Sequence, residues 1–138
     1  MANDVKFTMH TDKVLKSIED AGSQRMYAAV TLVRNTVLET LSGSRAGETY
    51  FVPGTSRTYQ ASRPGEPPAT ATGSLRQSVE TSVESEGFMI IGRVGTKQKH
   101  GKYLEKGTSR MDERPWLRPS FVKASDGVEQ IFGGLWFK

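Results

Sequence analysis

Two histidines, His10 and His100, are the first residues to ask for chemistry, because imidazole is a metal ligand and a proton carrier near neutral pH. His10 falls at a predicted strand end and His100 in a basic loop, neither with a carboxylate at ligand spacing. The chain has no cysteine, which excludes disulfides, thiolate catalysis and zinc–sulfur sites. Glu80, Glu84 and Glu86 form an acid cluster that could move protons. On an alternating strand they make a solvated face instead, with no apolar pocket to raise a pKa. No serine stands in a Gly-x-Ser-x-Gly elbow. The run from Gly95 to Lys102 approaches a phosphate-binding loop, but Gly95 and Gly101 stand one residue too far apart. Tyr103 also occupies the place where Ser or Thr would bind magnesium. These residues give no reason to expect an enzyme, a metal or a cofactor.

What remains is charge. Arg93, Lys97, Lys99, Lys102, Lys106 and Arg110 put six positive side chains into eighteen residues against one acid, Glu105. A solvated loop fits this pattern, and so does a positive patch facing DNA or an acidic neighbour. Tyr103 is the single interleaved aromatic, so base stacking is poorly supported. The formal charge of +4 is mild and agrees with either reading.

The elements that carry these residues follow from hydrophobic spacing. At 138 residues, 36% apolar and 25% charged, the chain has the size and composition of one folded domain. Val5-Lys6-Phe7-Thr8-Met9 alternates as a short strand, and Thr11 or Asp12 can cap the helix that follows. Leu15, Ile18, Gly22, Met26, Ala29, Val33, Val37 and Leu41 then recur at steps of three and four, predicting one helix of about 30 residues. Gly22 is a candidate kink, and Ser42-Gly43-Ser44 ends the helix. A helix this long must cross a sheet or pack on a copy of itself.

Residues 43–74 are rich in Gly, Pro, Ser and Thr and form an arm-like segment within the domain. Two short extended pieces, Thr49-Tyr50-Phe51-Val52 and Arg57-Thr58-Tyr59-Gln60, flank a Pro53-Gly54 turn as a protruding hairpin. Tyr50, Phe51 and Tyr59 on such an arm suit a partner-binding element. Beyond a turn of helix at Leu75, an alternating strand places Val79 and Val83 opposite Glu80 and Glu84. Glu86-Gly87 is the predicted hairpin turn into an apolar strand from Phe88 to Gly95. Residues 96–102 read as a loop, Tyr103-Leu104-Glu105 as renewed order, and Lys106-Gly107-Thr108-Ser109 as a break. A short C-terminal helix starts at Arg118-Pro119-Ser120 and turns Phe121, Val122, Val128, Ile131 and Phe132 inward, with Asp126-Gly127 interrupting it. The tail Leu135-Trp136-Phe137 is apolar enough to dock on this subunit or a neighbour.

In Arg114-Pro115-Trp116-Leu117-Arg118-Pro119, two prolines hold the residues before them extended and so present Trp116 and Leu117 in a defined direction. A buried anchor and a subunit-contact anchor fit equally well. The expected fold class is α+β: a long N-terminal helix on a small, mostly antiparallel sheet, with a hairpin arm and a short C-terminal helix. No apolar run approaches the roughly 18 residues of a membrane span, and no signal pattern opens the chain, so synthesis in the cytoplasm is expected.

Three stretches in order carry a resemblance. They are Ala61-Ser62-Arg63-Pro64-Gly65-Glu66-Pro67-Pro68-Ala69 running into Thr72-Gly73-Ser74-Leu75-Arg76-Gln77-Ser78, then Tyr103-Leu104-Glu105-Lys106-Gly107-Thr108, then Arg114-Pro115-Trp116-Leu117-Arg118-Pro119. Together they resemble the HK97 gene-10-like family of tailed-phage head–tail connector, neck and tail-completion proteins, in which Phe is commoner at the Trp116 position. The resemblance covers 61–119, and the helices on either side fit it. It implies a non-enzymatic virion subunit in a homo-oligomeric ring, six- or twelve-fold, at the neck or upper tail. Its partners would be neighbouring head-completion and tail proteins, with DNA only as passing cargo and no membrane. The contact residues expected on this reading are Tyr50, Phe51, Tyr59, Arg63, Glu66, Arg114, Trp116, Leu117 and Trp136. A basic nucleic-acid-binding module, or a tail-assembly factor not retained in the virion, are the alternatives.

Overall fold

Thirty residues of helix, α1 (Thr11–Thr40), set the frame and span about 45 Å at 1.5 Å per residue. The computed structural model describes residues 11–70, 73–87 and 89–134. The strand predicted over 5–9, Phe88, and the tail 135–137 with Trp136 lie outside the described residues. Helix α1 runs unbroken through Gly22, as the apolar stripe requires. Its stripe is buried only in part. Ala29, Val33, Val37 and Leu41 are in the core, whereas Leu15 and Ile18 remain exposed. The core gathers Leu75, Val79, Trp116 and Ala124 onto that C-terminal half. Each Val or Leu fully buried there contributes about 1.5–3 kcal/mol.

Beyond α1 comes the arm, β1 (Thr49–Phe51) and β2 (Thr58–Gln60), paired antiparallel with Tyr50 opposite Tyr59. One short turn of helix, α2 (Ser74–Gln77), seats Leu75 in the core. Strands β3 (Glu80–Glu86) and β4 (Met89–Gly95) form the second two-stranded antiparallel sheet, which lies on α1. Gly92 allows that contact, since a Cβ there would stand 2.5 Å from Met26 Sδ and 2.6 Å from Val30 Cγ1. The hairpin turn falls one position later than expected. Glu86 still pairs with Met89, and Gly87 takes the left-handed conformation (φ +59°) at the first turn position.

Residues 99–106, half of them expected to be loop, form helix α3 (Lys99–Lys106). Helix α4 (Leu117–Gly133) then runs antiparallel to α1: Ser120 Oγ bonds Thr40 Oγ1, Gly127 faces Leu32, and the Arg25 guanidinium donates to Ile131 O. Asp126-Gly127 does not interrupt it, because the missing side chain at Gly127 lets Leu32 approach. Val128 packs against the core as expected, and Ile131 and Phe132 are half-buried, but the first turns of the helix differ from expectation. Phe121 and Val122 are 58% and 64% exposed, and the buried positions are Ser120 and Ala124. Small residues let two helices close together, so the bulky neighbours are turned outward. The observed architecture is α+β: two helices side by side, one hairpin laid on α1 and one projecting.

Candidate interaction surface

Helix α4 has no capping side chain of its own, because Trp116 precedes its first turn and has no side-chain acceptor. The acceptor comes from α3. Glu105 Oε2 takes the N–H groups of Trp116 (2.7 Å) and Leu117 (2.8 Å), and Oε1 takes that of Arg118 (2.9 Å). Pro119 has no N–H, so one carboxylate satisfies every donor this helix start presents. Trp116 then fills the space between α3 and α4 at 1% exposure, its indole N–H donating to Gly101 O at 2.9 Å. Of the two readings of Trp116, the buried anchor describes this structure; the side chain is not on the surface. A Cβ at Gly101 would stand 2.6 Å from Thr96 Cγ2, 3.1 Å from Leu75 Cδ1 and 3.3 Å from Trp116 Cζ2, which is why glycine sits inside a helix here. Arg114 N–H closes the turn onto Leu104 O at 2.6 Å.

At the root of the arm the structure brings four of the expected contact residues together. Tyr50, Arg63 and Arg114 line one shallow cleft with Pro64, and Glu66 braces its floor. Glu66 Oε2 accepts the N–H groups of Arg63 (2.7 Å) and Ala46 (3.2 Å), and these bonds hold its carboxyl below the usual carboxylate range. Arg114 reaches Ser62 O through Nε and Nη2, each at 3.4 Å, and Gly65 N–H donates to Glu113 O at 3.0 Å. Arg45 ties the end of α1 to the same loop, donating to Thr40 O and to Pro68 O. Partial burial of its guanidinium lowers its pKa, an effect that Glu66 opposes. Out on the arm, the Tyr50 and Tyr59 rings lie 6.2 Å apart, a contact range for aromatic pairs. Tyr50 O–H donates to Glu48 Oε2 at 3.0 Å, which pushes its pKa up. Phe51, on the opposite face, is 71% exposed.

No family model, curated protein or solved structure matches this chain. Among the described residues no three His, Cys, Asp or Glu side chains gather as a metal site, and no helix is long and apolar enough to cross a membrane. The basic set is divided by the fold. Arg93 meets Glu84 at 2.9 Å and Lys97 meets Glu80 at 3.5 Å, all four exposed. Lys99, Lys102 and Lys106 share one exposed face of α3 beside Tyr103, while Arg110 stands in the turn beyond. His100 is exposed on α3, and His10 lies outside the described residues.

Two features were missed by reading the sequence. One is Glu105 as a cap; the available signal was a helix start with Trp, which has no acceptor, at the capping position. The other is an open apolar groove between β4 and α4, with Val30 in its floor and Val94, Leu117, Phe121 and Phe132 around it. Leu117 thus lies half-buried at a groove, apart from the arm-root cleft. The exposed bulky residues of α4 were its signal.

Proposed function

We propose that this protein is a structural subunit of a tailed-bacteriophage particle, an oligomeric ring component at the neck or upper tail that joins head to tail or completes the tail. The observation that carries the reading is the three-motif resemblance over 61–119. The structure supports it by giving those motifs a shared mechanical purpose. Glu105 and Leu104 O bind the second stretch to the third, and Arg114, donating to Ser62 O, binds the third to the first. A body locked this way projects Tyr50, Phe51 and Tyr59 on an arm, where a neighbouring subunit can grip them. Its partners are further copies of itself and adjoining head-completion and tail proteins. DNA is passing cargo, and the site of action is the virion.

Electron microscopy of particles made with this gene disrupted tests the reading. Separate filled heads and finished tails are the result of a joining role, and overlong or malformed tails that of tail completion. Normal infectious particles would overturn both. A second reading, a duplex-binding basic module, is favoured by the single face holding Lys99, Lys102 and Lys106. It requires binding that weakens steeply with salt, so a gel-shift series without binding at low salt removes it. Protein analysis of purified particles separates a resident subunit from an assembly factor that departs.

A further inference from the structure

Helices α1 and α4 lie side by side, and the β3–β4 hairpin rests on α1. Beside it, Phe121 of α4 is 58% exposed at the apolar groove that β4 borders. Glu86 and Met89 close that hairpin as a bonded pair, and unbonded and bonded pairs alternate from there. Ile90, Gly92 and Val94 therefore turn their N–H and C=O groups away from β3, towards the groove. None of these groups has another hydrogen-bond partner among the described residues. A free strand edge beside an apolar groove suits an added strand, whose main chain bonds the edge while alternate side chains fill the groove.

The chain carries such a strand. Val52 N–H donates to Arg57 O and Ala61 N–H to Glu48 O, so the bonded positions of β1 are 48, 50 and 52. Thr49 and Phe51 present their main-chain groups outward, and Phe51 is 71% exposed. Two strands add about 9.5 Å of sheet and packed helices lie about 8–10 Å apart, so the two-stranded arm matches the width of α4. With Phe51 turned into the groove, Glu48 and Tyr50 fall on the outer face. Arg93 stands on that face, because Gly92 beside it faces α1, so an exposed carboxylate meets an exposed guanidinium. A chain's own arm leaves its groove open, since Tyr50 lines the cleft with Arg63 and Arg114 and Phe51 stays exposed.

We propose that the arm of one copy docks between β4 and α4 of the next, adding β1 to the edge of β4 and seating Phe51 beside Phe121. Arm and groove are different surfaces, so the contact is heterologous and closes into a ring or runs on as a filament. The inference rests on the ring reading above, for which it names the socket.

The chain has no cysteine, so introduced thiols stand alone. Thr58 pairs with Phe51 across the arm and would lie over α4, where Val122 is exposed. Thr58→Cys and Val122→Cys chains, mixed and treated with a short bismaleimide, should give the 58–122 link severalfold above either same-site link. Mixing makes that link intermolecular, and Lys102→Cys on α3 serves as the distant control. Phe51→Asp and Phe121→Asp, both at exposed positions, should each raise the half-association concentration in sedimentation by about tenfold or more, with far-UV circular dichroism unchanged. A chain that stays monomeric at every concentration overturns the proposal. Association that survives both aspartate variants, or linking to position 102 as abundant as to 122, also overturns it. Copies then associate elsewhere and the ring reading stands, to be judged by the particle microscopy above.

Discussion

Replacing Glu105 with alanine removes the acceptor for three backbone N–H groups at the start of α4. The Trp116 and Leu117 donors are part-buried, so water replaces the carboxylate poorly there. The Arg118 donor is exposed and is rehydrated at little cost. A bond to a charged acceptor is worth about 1.5 kcal/mol at the low end of its range, so two such bonds amount to about 3 kcal/mol. Glu105→Gln keeps an amide oxygen that can hold one or two of the donors without the charge, and should lose about 1.5 kcal/mol. Urea unfolding, followed by the fluorescence of buried Trp116 and by far-UV circular dichroism, reads both. With a slope of about 2 kcal/mol per molar, the midpoint should fall by about 1.5 M for alanine and by about half that for glutamine. An alanine midpoint within about 0.3 M of the unmodified protein would refute the capping argument.

Three further outcomes are expected. Gly101→Ala should destabilise by about 1–3 kcal/mol through overpacking against Thr96, Leu75 and Trp116, although alanine is the better helix former; a raised urea midpoint would show that the neighbours yield. The Glu66 carboxyl is held low by the Arg63 N–H and then the Ala46 N–H. Its contribution is present above the ordinary carboxylate range and is lost as pH falls through the lower folded value. The amide-proton shifts of Arg63 and Ala46 should therefore titrate together below that ordinary range, and Glu66→Gln should abolish the transition; shifts that titrate unchanged in the variant would assign it to another group. Deleting 48–60 joins Gly47 to Ala61, which are already bonded at 2.8 Å, so the helical circular dichroism and the urea midpoint should stay near those of the intact chain. A cooperative loss of helix on deletion would show that the arm is part of the body.

The long helix was legible because its eight stripe positions keep step over 27 residues, which outweighs the one contrary local preference, at Gly22. The arm was legible from Pro53-Gly54 between two aromatic stretches, β3 from Val79 and Val83 opposite Glu80 and Glu84, and β4 from the apolar run beyond Glu86-Gly87. Helix α3 was hidden because Gly101 and the preceding Lys-Gln-Lys run read locally as loop. Only the distant side chains of Leu75 and Trp116 make glycine the residue that fits. Helix α4 was found with Val128 rightly inward, but its first turns were misread, since Phe121 and Val122 outweigh Ser120 and Ala124 in any hydrophobic pattern. At the candidate surface, Tyr50, Arg63, Glu66 and Arg114 were named from the sequence, but their meeting at one cleft was not. That meeting depends on Arg114 reaching Ser62 from 52 residues away. Trp116 could not be placed inside or outside without knowing that Gly101 O and Glu105 awaited it.

Gly47 N–H bonds Ala61 O, and Ala61 N–H bonds Glu48 O, so the arm leaves and re-enters the body through adjacent backbone positions. A segment anchored this way can change length cheaply, because doubling a loop costs only about 0.6 kcal/mol of closure entropy. The arm's length and the stability of the body are therefore separate quantities. Drift within 48–60 can alter how far the arm projects, while the fold beneath it stays under its own selection.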